Sequence, residues 1–207
     1  MINMRKLFFV IIMLVPLAAS AQDNTWEKIE QEPVENPDAK YLSPDAIPVS
    51  DGKVCFKTII EAPGKTADQI YHILLKQLTK MTKEANQLEY SRVALQDSVL
   101  HQLGAVFHEW LVFKSVSLSL DQTKFNFRIL VNCTDGKAEI KMTNIFYDYD
   151  VERKPIRYRA EEWITDKYAV NKKRTKLYPI SGKFRRKTID RKDFIFNKFE
   201  TILNESK

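Results

Sequence analysis

Residues 124–146 read KFNFRILVNCTDGKAEIKMTNIF, and their alternation decides the fold. Phe125, Phe127, Ile129, Val131 and Cys133 take every second position, with Asn126, Arg128 and Asn132 between them. A period of two residues marks a strand with one apolar and one wet face. The turn follows at Thr134-Asp135-Gly136-Lys137, where an Asp-Gly pair readily takes the positive φ angles of a tight hairpin. Ala138, Ile140, Met142, Asn144 and Phe146 then return along the next strand, with Glu139, Lys141 and Thr143 on its polar side. Such a hairpin predicts an antiparallel sheet covered by helices on one face.

Upstream, Val54, Phe56, Thr58 and Ile60 alternate in the same way from Asp51-Gly52 to the break at Ala62-Pro63-Gly64. Thr66 and Gln69 are spaced as a capping box, in which a hydroxyl and an amide satisfy the first free N–H groups of a helix. Ile70, Leu74, Leu78, Met81 and Ala85 continue at helical spacing, which predicts an amphipathic helix over 66–84 lying on the sheet. Further strands are expected at Tyr90–Leu95 and Ala105–Ser119, the latter long enough for two. Downstream, Ala160–Ala169 reads as a helical piece and Tyr178–Gly182 as a break. Asp190–Leu203 carries Ile195, Phe199, Ile202 and Leu203 on one stripe, a C-terminal helix capped by Thr188 or Asp190. The fold class is therefore α+β, an antiparallel sheet with a long helix after its first strand and a C-terminal helix packed on one face.

The N-terminus speaks to compartment. Arg5 and Lys6 precede eleven apolar residues, Leu7–Leu17, and Ala19-Ser20-Ala21 is a small-x-small cleavage site. This is the pattern of a secretory signal peptide over 1–21, too short for a membrane span of about 20 residues. The chain is thus expected to be exported to the periplasm or beyond, with no transmembrane segment after cleavage. Residues 22–52, with four prolines and many acids, read as an extended leader, and 53–207 as a single α+β domain. Cys55 and Cys133 belong to opposite strand faces and read as small hydrophobes rather than a disulfide.

Charge is unevenly spread. Residues 22–151 hold 14 basic and 19 acidic residues, whereas 152–207 hold 17 and 8. The excess gathers around Tyr178, in Lys172, Lys173, Arg174 and Lys176 before it and in GKFRRKTIDRKDF, residues 182–194, after it. Arg and aromatic planes interleaved in this way can grip phosphates or sugars. Lys173, Arg174, Tyr178, Lys183, Phe184, Arg185, Arg186 and Lys187 are the candidate ligand-binding residues. Equally, the basic tail can balance the acidic front of one folded unit. Signals for catalysis are thin. His72, His101 and His108 have no zinc-site spacing, no nucleophile elbow or Gly-rich phosphate loop occurs, and no metal or cofactor is expected. Asp148, Asp150 and Glu152 alternate, as a charged strand edge does.

Three stretches together resemble a known family: GKVCFKTIIEAPGKTADQIYHILLKQL (52–78), FNFRILVNCTDGKAEIKMTNIFY (125–147) and AEEWITDKYAVNKKRTKLYPISGKFRRKTIDRKDFIFNKF (160–199). They are similar to domain-of-unknown-function family 4468, found in exported proteins of Bacteroides-like bacteria. The resemblance implies a curved sheet of the TATA-box-binding-protein-like (TBP-like) type, and it brings no reaction and no catalytic residues. Likeness to a DNA-binding saddle does not transfer DNA binding, and nucleic acid is not the expected partner outside the cytoplasm. The expected function is a non-catalytic binding or assembly module working with a protein or another envelope component. The alternatives are a module for acidic glycan or lipid phosphate acting through the basic tail, and an unrecognised hydrolase, which a deep pocket joining His108, Glu109 and a nucleophile would favour.

Overall fold

The computed structural model describes residues 37–116, 119–149 and 154–205; the signal segment, residues 22–36 of the leader, Asp150 and Glu152 lie outside them. Seven antiparallel strands form the sheet: β1 (Val49–Ser50), β2 (Lys53–Glu61), β3 (Arg92–Asp97), β4 (Gln102–Val116), β5 (Ser119–Thr134), β6 (Lys137–Tyr149) and β7 (Ile156–Arg159). The order is β1-β2-β6-β5-β4-β3, and β7 also pairs with β6. The hairpin read from the sequence is its centre, with Cys133 opposite Ala138 and Thr134 opposite Lys137. The stretch 105–119 is one long strand, not two, ending at Val116. Its partner β5 begins at Ser119, well before Lys124.

The helices are α1 (Ala39–Leu42), α2 (Ala67–Met81), α3 (Asp166–Ala169) and α4 (Pro179–Glu205), with a 3-10 turn at Ala160–Glu162. The capping box opens α2: Gln69 N–H donates to the Thr66 hydroxyl, and Thr66 N–H donates to the Gln69 side chain. Ile70, Leu74, Leu78 and Met81 from α2 meet Phe107, Phe127, Ile129 and Ile140 from the sheet in one buried core. Completing the same layer, α4 adds Phe184, Ile195, Phe199 and Leu203. Both long helices lie on one face, as the polar side of the hairpin requires.

Four expectations need correcting. The returning strand does not keep its alternation past Met142. A bulge opens between Thr143 and Phe146, where Asn144 takes a φ of +53°. It flips the side chains beyond it, so Ile145 and Tyr147 face the core instead of Asn144 and Phe146. Next, α4 starts at Pro179, about eleven residues before Asp190; proline is well suited to the first helical position because the missing N–H has no partner there. Third, residues 160–169 form a 3-10 turn and a separate short helix rather than one piece. Finally, the leader is not wholly extended. Tyr41, Leu42 and Ile47 are buried, and Tyr41 and Ile47 join the main core.

Candidate functional site

The structure disperses the basic tail. Phe184 is fully buried at the centre of an aromatic cluster, with ring centroids 4.5 Å from Phe113 and 5.1 Å from Tyr147. The Arg185 side chain has no exposed area. Its Nε donates to the Tyr41 carbonyl at 2.6 Å, its Nη1 to the Ile164 carbonyl at 2.9 Å, and its Nη2 lies 2.7 Å from Asp166. Burial holds its pKa below the usual arginine value, with Asp166 working the other way. Arg186 grips both oxygens of Asp38 at 2.6 and 2.7 Å. That bidentate bond raises the Arg186 pKa and lowers that of Asp38. Lys183 donates to Asp121 at 2.6 Å and lies over the Phe113 ring. Arg174 reaches Asp166 at 2.5 Å and the Leu42 carbonyl at 3.1 Å. Lys187 is half-buried on α4, whereas Lys173 and Tyr178 are exposed on the loop before it. The eight side chains do not converge on one surface, because most of them hold the chain to itself.

His108 and Glu109 are also separated, since neighbours on a strand face opposite ways. Glu109 points into the helix layer, fully buried, and both its oxygens accept from the fully buried Arg191, at 2.7 and 2.8 Å. Gln87 and Asn86 donate to the same carboxylate at 2.5 and 3.3 Å. Burial works against the Arg191 charge, but Glu109 and Glu84 together outweigh it and the pKa is raised. His108 lies on the other face, its Nδ1 2.5 Å from the Asn126 amide oxygen. Cys133 is buried on the helix side, where burial pushes its thiol up to about 12; Cys55 is half-buried on the far side, and both are free. Among the described residues, no group of three or more His, Cys, Asp or Glu could hold a metal ion.

What remains is the other face of the sheet, which no described element covers. Register places its residues in rows across the strands. One row runs Lys57, Lys141, Leu130, Gly104, Leu95, and its neighbour runs Cys55, Thr143, Arg128, Val106, Arg92. Further along lie Arg159, Phe146, Asn126 and His108, then Arg157, Asp148, Lys124 and Trp110. A Cβ at Gly104 would come to 3.0 Å from Leu95 and 3.5 Å from Leu130, so the glycine lets the two leucines close over it. Leu95, Leu130 and Ile59 stay 46%, 41% and 51% exposed. The face is thus an apolar centre framed by cations. Glu139 answers two of them, at 2.6 Å from Lys57 and 2.7 Å from Lys141. Arg157 grips Asp148 through two bonds, at 2.6 and 3.1 Å, and lies 4.4 Å above the Phe146 ring. Sequence reading gave this face as polar without its partners; the alternation of Arg128, Leu130 and Lys141 was the signal.

A one-sided helical cover over a seven-stranded antiparallel sheet defines an α+β protein of the TBP-like class. A family model described as "Domain of unknown function (DUF4468) with TBP-like fold" matches residues 56–148. A crystal structure of a DUF4468 family protein from Bacteroides ovatus ATCC 8483 is 38% identical, covers 82% of this chain and 96% of its own, and superposes with a TM-score of 0.76. The chain belongs to the DUF4468 family. A TBP-like protein from Parabacteroides distasonis ATCC 8503 shares the fold at a TM-score of 0.62 with 16% identity, over 78% of this chain and 99% of its own. No curated protein matches. Among the described residues, no helix is long and apolar enough to cross a membrane.

Proposed function

We propose that the chain is an exported, non-catalytic binding module of the cell envelope that assembles with an acidic protein surface through the uncovered face of its sheet. One observation carries this reading: the exposed Leu95 and Leu130 close over Gly104, with Arg92 and Arg128 in the neighbouring row and with Lys57 and Lys141, which share the single carboxylate of Glu139, beside them. An apolar core with a charged rim is how protein interfaces are built, and the excess of cations selects an acidic partner. Export rests on the segment 1–21, and the mature chain would begin at Gln22. The basic tail gives less support to a glycan or lipid-phosphate module, since Arg174, Lys183, Arg185 and Arg186 are engaged within the fold.

The test is site-specific photocrosslinking in the cells that make the protein. A crosslinker at Leu130 or Ile59 should capture a discrete protein, and one at the exposed Lys76 on α2 should not. Adding Arg92→Glu and Arg128→Glu should remove the capture. If the face positions yield only uncoupled chain, or if Lys76 captures the same partner, the face is not the interface. N-terminal sequencing of the mature chain checks export separately.

A further inference from the structure

The edge of the sheet holds a cleft that its strand pairing explains. Over residues 137–143, β6 pairs with β2 on one side; from Phe146 onward it pairs with β7 on that same side. Between the two partners stands the bulge at Asn144, whose positive φ turns the strand. The ladder is interrupted there, and a cavity of about 230 Å³ opens between Lys53, Asn144, Ile145, Phe146, Arg157, Arg159 and Glu161. A non-glycine residue held at positive φ costs free energy, and such residues gather at functional positions.

Charge in the cleft is unbalanced. Three cations line it against one carboxylate. That carboxylate, Glu161, is held in place by the Val54 N–H, which donates to its Oε1 at 2.9 Å, and with Asp148 offsetting Arg157 the cleft keeps one net positive charge. Arg157 is fixed in place by Asp148 and by the Phe146 ring beneath it. Lys53 and Arg159 have no ion-pair partner among the described residues, and both are exposed. Two cations without an ion-pair partner among the described residues, a third held rigid and an aromatic ring, contributed by three strands that meet at a gap, are a recognition set for an oxyanion.

We infer that this junction is a binding site for a small ligand carrying an oxyanion, either a carboxylate or a phosphate, with Lys53 and Arg159 as its direct partners. Arg157, seated on the Phe146 ring, supplies field and shape. The site is separate from the acidic-protein interface, which centres on Leu95, Gly104 and Leu130. Failure of either therefore leaves the other standing.

Titration calorimetry of the full mature chain with inorganic phosphate and, separately, with galacturonate tests the site and distinguishes the two anion types. At least one probe should bind saturably. The Lys53→Gln/Arg159→Gln variant should weaken that binding by at least about tenfold, since each lost charge-assisted hydrogen bond is worth roughly that factor. An Arg92→Gln control on the far side of the same face should leave it within about twofold, which separates a site from diffuse attraction. Because Lys53 and Arg159 are exposed, the double variant should keep its circular dichroism and melting temperature. Absence of saturable binding for both probes, or equal weakening by Arg92→Gln, overturns the proposal.

Discussion

Arg185 and Arg191 are seen in the sequence as members of a charged run, yet both are fully buried. The signal that distinguishes Arg191 is spacing. Counting back from Ile195 along the core stripe by four, seven and eleven residues gives Arg191, Thr188 and Phe184, all buried. A charged residue on a core stripe implies a buried acid to meet it, and Glu109 is that acid. Which acid it is depends on a pairing across 82 positions that local pattern does not contain. Arg185 is harder to foresee, since two of its partners are main-chain carbonyls, Tyr41 and Ile164, which carry no sequence mark. The pair predicts an asymmetry in stability. Arg191→Met leaves the Glu109 charge buried without its main partner and should cost about 3–5 kcal/mol. Arg191→Met combined with Glu109→Leu removes both charges and should recover a large part of that loss. Urea denaturation of the three proteins measures it; equal losses in the single and double variants would show that the ion pair itself stabilises the fold.

At the scale of elements, alternation and capping were legible. The β5–β6 hairpin, the first long strand and α2 follow from periods of two and 3.6 and from the Thr66–Gln69 box. What escaped were the places where a local rule yields to packing. The bulge at Asn144 carries no mark that separates it from one more residue in a strand, and only the switch to Ile145 and Tyr147 betrays it. At the start of α4, Tyr178-Pro179-Ile180-Ser181-Gly182 carries two residues that usually break helices. Proline is tolerated because it stands first, and glycine is present because the chain passes close by: a Cβ at 182 would lie 2.7 Å from the Leu177 Cβ. Gly182→Ala in an open helix should stabilise by about 1 kcal/mol. Here it forces Leu177 or the helix start to move, and overpacking of this kind costs about 1–3 kcal/mol. A lowered melting temperature is therefore expected, whereas a rise would show that Leu177 yields freely.

Across the whole molecule, the uneven charge of the sequence becomes a means of closure. The acidic front and the basic tail answer each other through Asp38 with Arg186, Asp121 with Lys183, and Glu84 with Lys198. Lys40 reaches back to Asp190 at 2.6 Å, and the Tyr41 hydroxyl donates to the same carboxylate at 2.8 Å. The segment 38–42 is thereby clasped against α4, which composition alone presented as a free leader. Prolines and acids suggested an unpacked stretch, but Tyr41, Leu42 and Ile47 supply apolar anchors that a reading by average composition dilutes. This clasp should respond to acid in a definite direction. Arg186 holds the Asp38 pKa below its ordinary carboxylate value, and a depressed carboxylate stabilises the fold above the unfolded pKa, roughly 4. The contribution is complete from about pH 5 upward and fades as the pH falls through the lower, folded value. The pair is partly exposed, so it should be worth less than about 1 kcal/mol. Asp38→Asn should therefore be slightly less stable than the parent at pH 7 and indistinguishable from it at about pH 2, as measured by urea titration at a series of pH values. A difference that stays constant down to the lowest pH would mean that Asp38 acts through its shape and hydrogen bonding, not through its charge.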